Sequence, residues 1–173
     1  MIGQPFPAFA VEALASGEYG QEYRSLTNDD LLGRWQVMFY WPMSYLRHCP
    51  SEIREAIRRL PSFSETDSGL VGAFSDTHSI LHSWRSAHPS PRPLPFPIVS
   101  DPRQRFARLL GLVTENASAI VAATIFVDPD GIVRQRLVHE PGSCRNIEAV
   151  LWELKELQLT RAGVEAGTEL AVT

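Results

Sequence analysis

Cys49 is the residue of this chain best placed for nucleophilic chemistry. It closes the stretch Val37-Met38-Phe39-Tyr40-Trp41-Pro42-Met43-Ser44-Tyr45-Leu46-Arg47-His48-Cys49, and Pro50-Ser51-Glu52 follows. The apolar run ends at Pro42, and a polar loop leads to the cysteine. Pro50 then opens a segment in which Ile53, Ala56, Ile57 and Leu60 recur at helical spacing. Proline suits the first helical position, where an N–H would have no partner within the helix. Cys49 is therefore expected at the helix N-cap or next to it. Unpaired amides and the positive end of the helix dipole favour a thiolate there. Arg47, His48, Arg54 and Arg58 add positive charge nearby. A cysteine can also serve as a small buried hydrophobe. The order strand, loop, Cys, Pro, helix favours the reactive thiol.

Other candidate chemistry is sparse. Cys144 is the second of two cysteines. Two do not make a disulfide framework and fit a reducing compartment, so a cytoplasmic location is expected. His78 and His82 stand four apart and could share a helix face, but no third ligand lies close, so no metal site is expected. Gly69-Leu70-Val71-Gly72 lacks the spacing and the strand-before-helix context of a phosphate loop. No cofactor motif is present.

The elements that must position Cys49 can be read from periodicity. Pro5 and Pro7 mark an extended opening, followed by a short alternating strand at Phe9–Leu14. Residues 15–33 are polar with Gly, Asn and Asp, and read mostly as loop. Gln36–Tyr40 is an unbroken apolar strand, buried on both faces. The helix from Pro50 should end near Leu60, because Pro61 cannot continue it; Ser62–Ser68 reads as a turn or frayed helix. Residues 69–74 form a second buried strand, and Thr77–His88 a helix with Ile80, Leu81 and Trp84 on one side. Prolines 89, 91, 93, 95 and 97 alternate and require an extended loop. Ile98-Val99 is a brief strand, and Ser100 or Asp101 caps a helix carrying Phe106, Leu109, Leu110 and Leu112. Ala119–Val127 reads as a strand, with the turn Asp128-Pro129-Asp130-Gly131 leading into a strand at Ile132–Leu137. Asn146–Leu157 is the last amphipathic helix, and the remaining residues have weak periodicity.

This is an α/β pattern with a mixed central sheet flanked by helices. Sites in such sheets form at the carboxyl ends of strands, where the Pro42–Cys49 loop lies. The chain has 173 residues, 44% of them hydrophobic and 21% charged, which fits an ordinary globular core. Residues 1–157 read as a single domain and 158–173 as a tail. A formal charge of −4 without a Lys/Arg-rich run gives no reason to expect nucleic acid. No apolar stretch approaches the ~20 residues that span a bilayer, and the N-terminus has no signal-peptide pattern.

The ordered motifs resemble the peroxiredoxins, and within them the alkyl hydroperoxide reductase/thiol-specific antioxidant branch. Ile2-Gly3-Gln4-Pro5-Phe6-Pro7 is similar to the family's opening segment, and Phe39-Tyr40-Trp41-Pro42 with Cys49-Pro50-Ser51-Glu52 to its peroxidatic-cysteine loop. Ser75-Asp76-Thr77-His78 with His82 and Trp84, then Leu94–Asp101, Thr124–Gly131 and Arg145-Asn146, continue the pattern. The resemblance implies a thioredoxin-like fold with an N-terminal extension and an inserted helix. It also implies a homodimer paired through a sheet edge, or a ring of such dimers.

The implied chemistry is peroxide reduction by the Cys49 thiolate, which becomes a sulfenic acid and is reduced by an external thiol. Pro42 would shield the thiolate, and Arg47 and His48 would assist it. Tyr40, Leu46, Glu52, Trp84 and Ala122 would line the substrate pocket. Three positions differ from the family pattern. Leu46 stands where the loop threonine is expected, Ala122 where an arginine is expected, and Leu157–Thr173 contains no resolving cysteine. Cys144 occupies a position where the family has glycine, and reads as a structural residue, with a resolving thiol as the alternative. A one-cysteine thiol peroxidase with impaired chemistry is the resulting expectation. The alternatives are a scaffold serving another reaction on a bulkier organic substrate, or a non-catalytic binding protein.

Overall fold

The computed structural model describes residues 1–14, 23–42, 50–77, 79–80, 96–114, 119–140 and 143–170, with the side chains of the last helix described as far as residue 164. Leu46, Arg47, His48, Cys49 and Trp84 lie outside the described residues, as do most of the helix expected at Thr77–His88 and prolines 89 to 95.

The strands are β1 (Ala10–Leu14), β2 (Tyr23–Thr27), β3 (Trp35–Trp41), β4 (Ser68–Phe74), β5 (Ile98–Ser100), β6 (Ala122–Val127) and β7 (Val133–His139). They form one sheet in the order β2-β1-β5-β4-β3-β6-β7. Its centre, β3, β4 and β5, is parallel. β6 runs antiparallel to β3 and β7 to β6, while β1 and β2 form an antiparallel extension on β5. The expected strands at 36–40, 69–74, 119–127 and 132–137 are thus neighbours in one sheet. Every residue of β3 and β4 is buried, as continuous apolar runs require when both faces are covered.

The helices are α1 (Pro50–Arg58), α2 (Leu60–Glu65), α3 (Arg105–Leu109) and α4 (Ile147–Leu170). On one face of the sheet Val37, Phe39, Trp41 and Phe126 pack against Ile53 and Ala56 of α1, Phe63 of α2, and Ile147, Val150, Leu151 and Leu154 of α4. On the other face Met38, Tyr40, Val71, Ala73 and Val99 pack against Phe106 and Ala107 of α3 and against Phe6, Leu26 and Leu31 from the N-terminal segment. Burying one such side chain contributes on the order of 1.5–3 kcal/mol.

Several boundaries differ from the periodicity reading, each for a local reason. Residues 23–27 form β2 rather than loop, because they pair residue for residue with β1, from Ala10↔Thr27 to Leu14↔Tyr23. A 3-10 turn at Asn28–Leu31 follows. Asn28 holds the opening segment, accepting from the Phe9 amide and donating to the Phe6 and Pro7 carbonyls. Pro61 does end α1, yet it also starts α2, since it sits in the first turn of that helix. Residues 119–121 stay out of β6 because they pair with the 112–114 segment: Thr114 donates to Ala119 O and Val121 to Leu112 O. The helix expected through Leu112 stops at Leu109. Gly111, with φ +63°, turns the chain, and Leu112 N reaches back to Ala107 O. The N-cap is Gln104, with φ +57°, rather than Ser100 or Asp101, because the helix starts only at Arg105; the Asp101 carboxylate still accepts from the first-turn amides of Phe106 (3.1 Å) and Ala107 (2.8 Å).

The largest difference lies at the C-terminus. The last helix does not end at Leu157 but continues to Leu170, through the stretch expected as a tail. Gln158 donates to Thr66 O, and Arg161 pairs with Asp128 and Asp130 of the β6–β7 turn. These anchors offset the weak propensity of Gly163 and Gly167, each of which costs about 1 kcal/mol in a helix.

Candidate active site

Two helix starts meet at the carboxyl end of β3. α1 begins at Pro50, directly after Cys49, and carries Glu52 in its first turn. α4 begins at Ile147 and is capped by Asn146, whose side-chain oxygen accepts from the amides of Glu148 (3.0 Å) and Ala149 (3.2 Å). Arg145, the residue before that cap, joins the two helices. Its guanidinium donates to Glu52 Oε1 at 2.6 Å and its backbone amide donates to Glu52 Oε2 at 2.9 Å. Both side chains are fully buried.

The rest of this network is supplied by the sheet. The Trp41 indole Nε1 donates to Glu52 Oε1 at 2.7 Å. Arg145 Nη2 donates to the carbonyls of Tyr40 (2.7 Å) and Ala123 (2.8 Å), at the end of β3 and the start of β6. The guanidinium also lies over the rings of Phe39 and Trp41, 5.2 and 5.4 Å from their centroids. Trp41 in turn stacks on Phe74 at 4.7 Å. Gly72 makes room for it, since a Cβ there would come within 2.9 Å of the indole. A buried charge is tolerated when it is paired and fully hydrogen-bonded. Here the pairing fixes the first turn of α1 against β3, β6 and the start of α4.

His139 stands at the end of β7, opposite Ala122 in register. Its Nε2 is 2.9 Å from the Thr124 hydroxyl. Burial, and then the positive charge of Arg145, depress its pKa to about 4, with Glu52 opposing the shift. His139 is therefore a neutral ring at neutral pH.

The sequence-derived pocket is partly redrawn. Ala122 is buried on the α1 face, beside this network. Pro42 is half-buried directly after β3. Tyr40 does not line the same space. Alternation along β3 sends it through to the other face, where its hydroxyl donates to Asp101 Oδ2 at 2.9 Å. Trp41 takes the α1 face instead. Burial and the adjoining Asp101 raise the Tyr40 pKa far above that of a free phenol, so it stays protonated. Glu52 is not a pocket wall either: three donors occupy its buried carboxylate, and it acts as a fastening for α1.

Sequence reasoning missed Trp41, His139 and the fastening role of Arg145. It read Cys144 as a structural residue, with a resolving thiol as the alternative. Cys144 is disulfide-bonded, and among the described residues no cysteine is free.

A mixed sheet with a parallel centre, a hairpin at β6–β7 and a Cys-Pro helix start beyond β3 defines a thioredoxin-like fold of the peroxiredoxin type. AhpC of Mycobacterium tuberculosis superposes with a TM-score of 0.80 at 28% identity, covering 91% of this chain and 93% of that one. The mitochondrial 2-Cys peroxiredoxin of Plasmodium falciparum shares the fold, with a TM-score of 0.81 at 18% identity over 94% of this chain and 96% of that one. The chain belongs to the AhpC/TSA family, whose profile matches residues 2–136. Alkyl hydroperoxide reductase C of M. tuberculosis is 29% identical over 166 residues, covering 91% of this chain and 84% of the relative. A putative peroxiredoxin in a rubredoxin operon of Clostridium pasteurianum is 27% identical, covering 91% of this chain and 89% of that protein.

Proposed function

We propose that this chain is a thiol-dependent peroxidase that reduces hydroperoxides through Cys49. The observation that carries the reading is the buried Arg145–Glu52–Trp41 network, which immobilises the first turn of the helix that Cys49 precedes. Fixed amides at a helix start are suited to hold an anionic oxygen and to favour a thiolate. Cys49 would attack the terminal peroxide oxygen, breaking the O–O bond. The sulfur becomes a sulfenic acid and the alcohol or water leaves with the proton. Pro42 would shield the sulfur, with Arg47 and His48 supplying positive charge beside it.

Leu46 and Ala122 withhold two polar partners from the transferring oxygen. Each would supply ~10²–10³ in rate, by analogy with an oxyanion-hole donor. Apolar walls gain ~0.8 kcal/mol per buried methylene, so an organic hydroperoxide is the favoured substrate over hydrogen peroxide. An external thiol supplies the electrons, and no cofactor is needed. The proposed assembly is a homodimer formed at a sheet edge; β7 is the outer strand beyond β6 and presents Val138, 50% exposed. A cytoplasmic location fits a protein whose described helices are not long and apolar enough to cross a membrane.

The test is stopped-flow oxidation of the reduced protein by hydrogen peroxide and by cumene hydroperoxide. The reading expects thiol oxidation that is faster with the organic peroxide and is abolished in Cys49→Ser. A Cys49→Ser protein that consumes peroxide as fast as the wild type overturns it.

A further inference from the structure

We propose that the cleft between α2 and α4 binds a free α-amino acid by its zwitterionic head group, with an apolar side chain laid on Trp152. The cleft measures about 320 Å³, at the lower end of the ~300–1,000 Å³ that ligand pockets occupy. None of its side chains belongs to the network around Glu52, and the site does not depend on Cys49.

Two stripes of side chains form the walls. Arg59, just before α2, and Glu65, at the end of α2, lie on one. Glu148, Leu151, Trp152 and Lys155 lie on the other, at a spacing that puts them on one face of α4. The alignment is fixed at both ends. Arg59 Nη2 meets Glu148 Oε2 at 3.6 Å, and Gln158 donates to the Thr66 carbonyl at 2.7 Å. Glu65 and Lys155 therefore flank the same end of the cleft.

The charges at the two ends differ in what they already hold. At the first end they are spent, because Arg59 pairs with Glu55 at 2.9 Å as well as with Glu148. At the second, neither Glu65 nor Lys155 forms an ion pair among the described residues. Lys155 is instead drawn over the Trp152 ring, with Nζ 5.5 Å from the centroid. A carboxylate and an ammonium that do not meet each other leave a gap for a group carrying both charges. An α-amino acid fills it: its ammonium can donate to Glu65, and its carboxylate can accept from Lys155. The side chain then has an apolar seat, since Leu151 is buried and Trp152, 62% exposed, stands next to it. A simple anion or cation would satisfy one of the two open charges and leave the indole bare.

The test is isothermal titration calorimetry of the full chain with free leucine as the probe. Leucine should saturate with a Kd on the order of 1 mM. N-acetylleucine, which lacks the ammonium, and leucinamide, which lacks the carboxylate, should each bind about fivefold more weakly, the worth of an exposed charge pair. Glu65→Gln should weaken leucine by the same factor without further weakening N-acetylleucine, and Lys155→Met should do so without further weakening leucinamide. Trp152→Ala should bring leucine down to the affinity of glycine. Both charged side chains are exposed, so these variants should fold as the wild type does. The blocked ligands decide the matter on the unaltered chain if one does not. Absence of saturation by leucine up to about 50 mM overturns the proposal. Equal affinity for leucine and its two blocked forms also overturns it, and reduces the cleft to an apolar platform. Full affinity in both charge variants overturns it by placing the ligand elsewhere.

Discussion

Replacing Glu52 by alanine should be among the most damaging single changes in this protein. The substitution removes the carboxylate paired with the buried Arg145 guanidinium, which stays held by the carbonyls of Tyr40 and Ala123 and by the faces of Phe39 and Trp41. Removing one partner of a buried pair costs about 3–5 kcal/mol. The Trp41 indole and the Arg145 amide also lose their acceptor, and an orphaned buried donor costs ~1–3 kcal/mol. These losses share one carboxylate and do not add in full, so the expected net is about 4 kcal/mol. That is a large part of the 5–15 kcal/mol that holds a typical domain together. Glu52→Gln keeps an acceptor oxygen but loses the charge, and should cost about 2 kcal/mol. In the pair Glu52→Leu with Arg145→Met both charges go, and the total should fall below the sum of the single changes by about 2 kcal/mol or more. The assay is urea unfolding followed by far-ultraviolet circular dichroism and tryptophan fluorescence, with both thiols kept reduced so that no disulfide contributes. Coincident transitions and an unchanged slope would license the comparison. A Glu52→Ala protein less than about 1 kcal/mol weaker than wild type, the range of an exposed pair, would refute the reasoning. An additive double substitution would do the same.

Other perturbations test other parts of the site. His139 has its pKa lowered to about 4 in the folded protein from an ordinary 6.5, so between those values the unfolded chain binds the extra proton. Its contribution to stability should be complete above pH 6.5, decline as the pH falls toward 4, and be absent from His139→Gln; equal pH slopes for the two proteins would exclude it. Gly72→Ala brings a Cβ to within 2.9 Å of Trp41 and 3.2 Å of Ile98. Overpacking of this kind costs typically 1–3 kcal/mol, so the urea midpoint should drop and Trp41 should shift from Phe74; an unchanged midpoint would mean the indole has slack. Leu46→Thr with Ala122→Arg should raise the rate of oxidation by hydrogen peroxide, with either change alone doing less. A folded double variant with the wild-type rate would favour another reaction on this scaffold.

The central strands were legible because burial on both faces leaves a plain signature. Val37–Tyr40 and Leu70–Phe74 are strands under any reading, since a continuous apolar run bounded by polar residues has few other uses. β2 was not legible. Tyr-Arg-Ser-Leu-Thr is polar enough to pass for loop, and its strand character comes from pairing with β1 rather than from its own pattern. The extension of α4 past Leu157 was hidden by two glycines, and the residues that hold it, Thr66, Asp128 and Asp130, are distant in sequence. Pro61 illustrates the two meanings of one signal: the same missing N–H that ends α1 suits the opening turn of α2.

The candidate site divides along the same line. The case for Cys49 rests on neighbours within a few positions, a strand before and a proline after, and local sequence can state it. What fixes the start of α1 is not local. Glu52 looks like an acidic residue favouring a helix N-terminus, and Arg145 like a surface cation before a cap. Only the fold shows that each is the other's buried partner. The same nearness changes the meaning of Cys144. By itself it is a cysteine where the family has glycine. Next to Arg145, it belongs to the segment that the ion pair fastens to α1. Tyr40 and Trp41 show how fine the distinction is. They are adjacent and both aromatic, and alternation along one strand puts one against Asp101 and the other against Glu52. Assigning the pocket therefore required the register of β3, which the loop sequence around Cys49 does not contain.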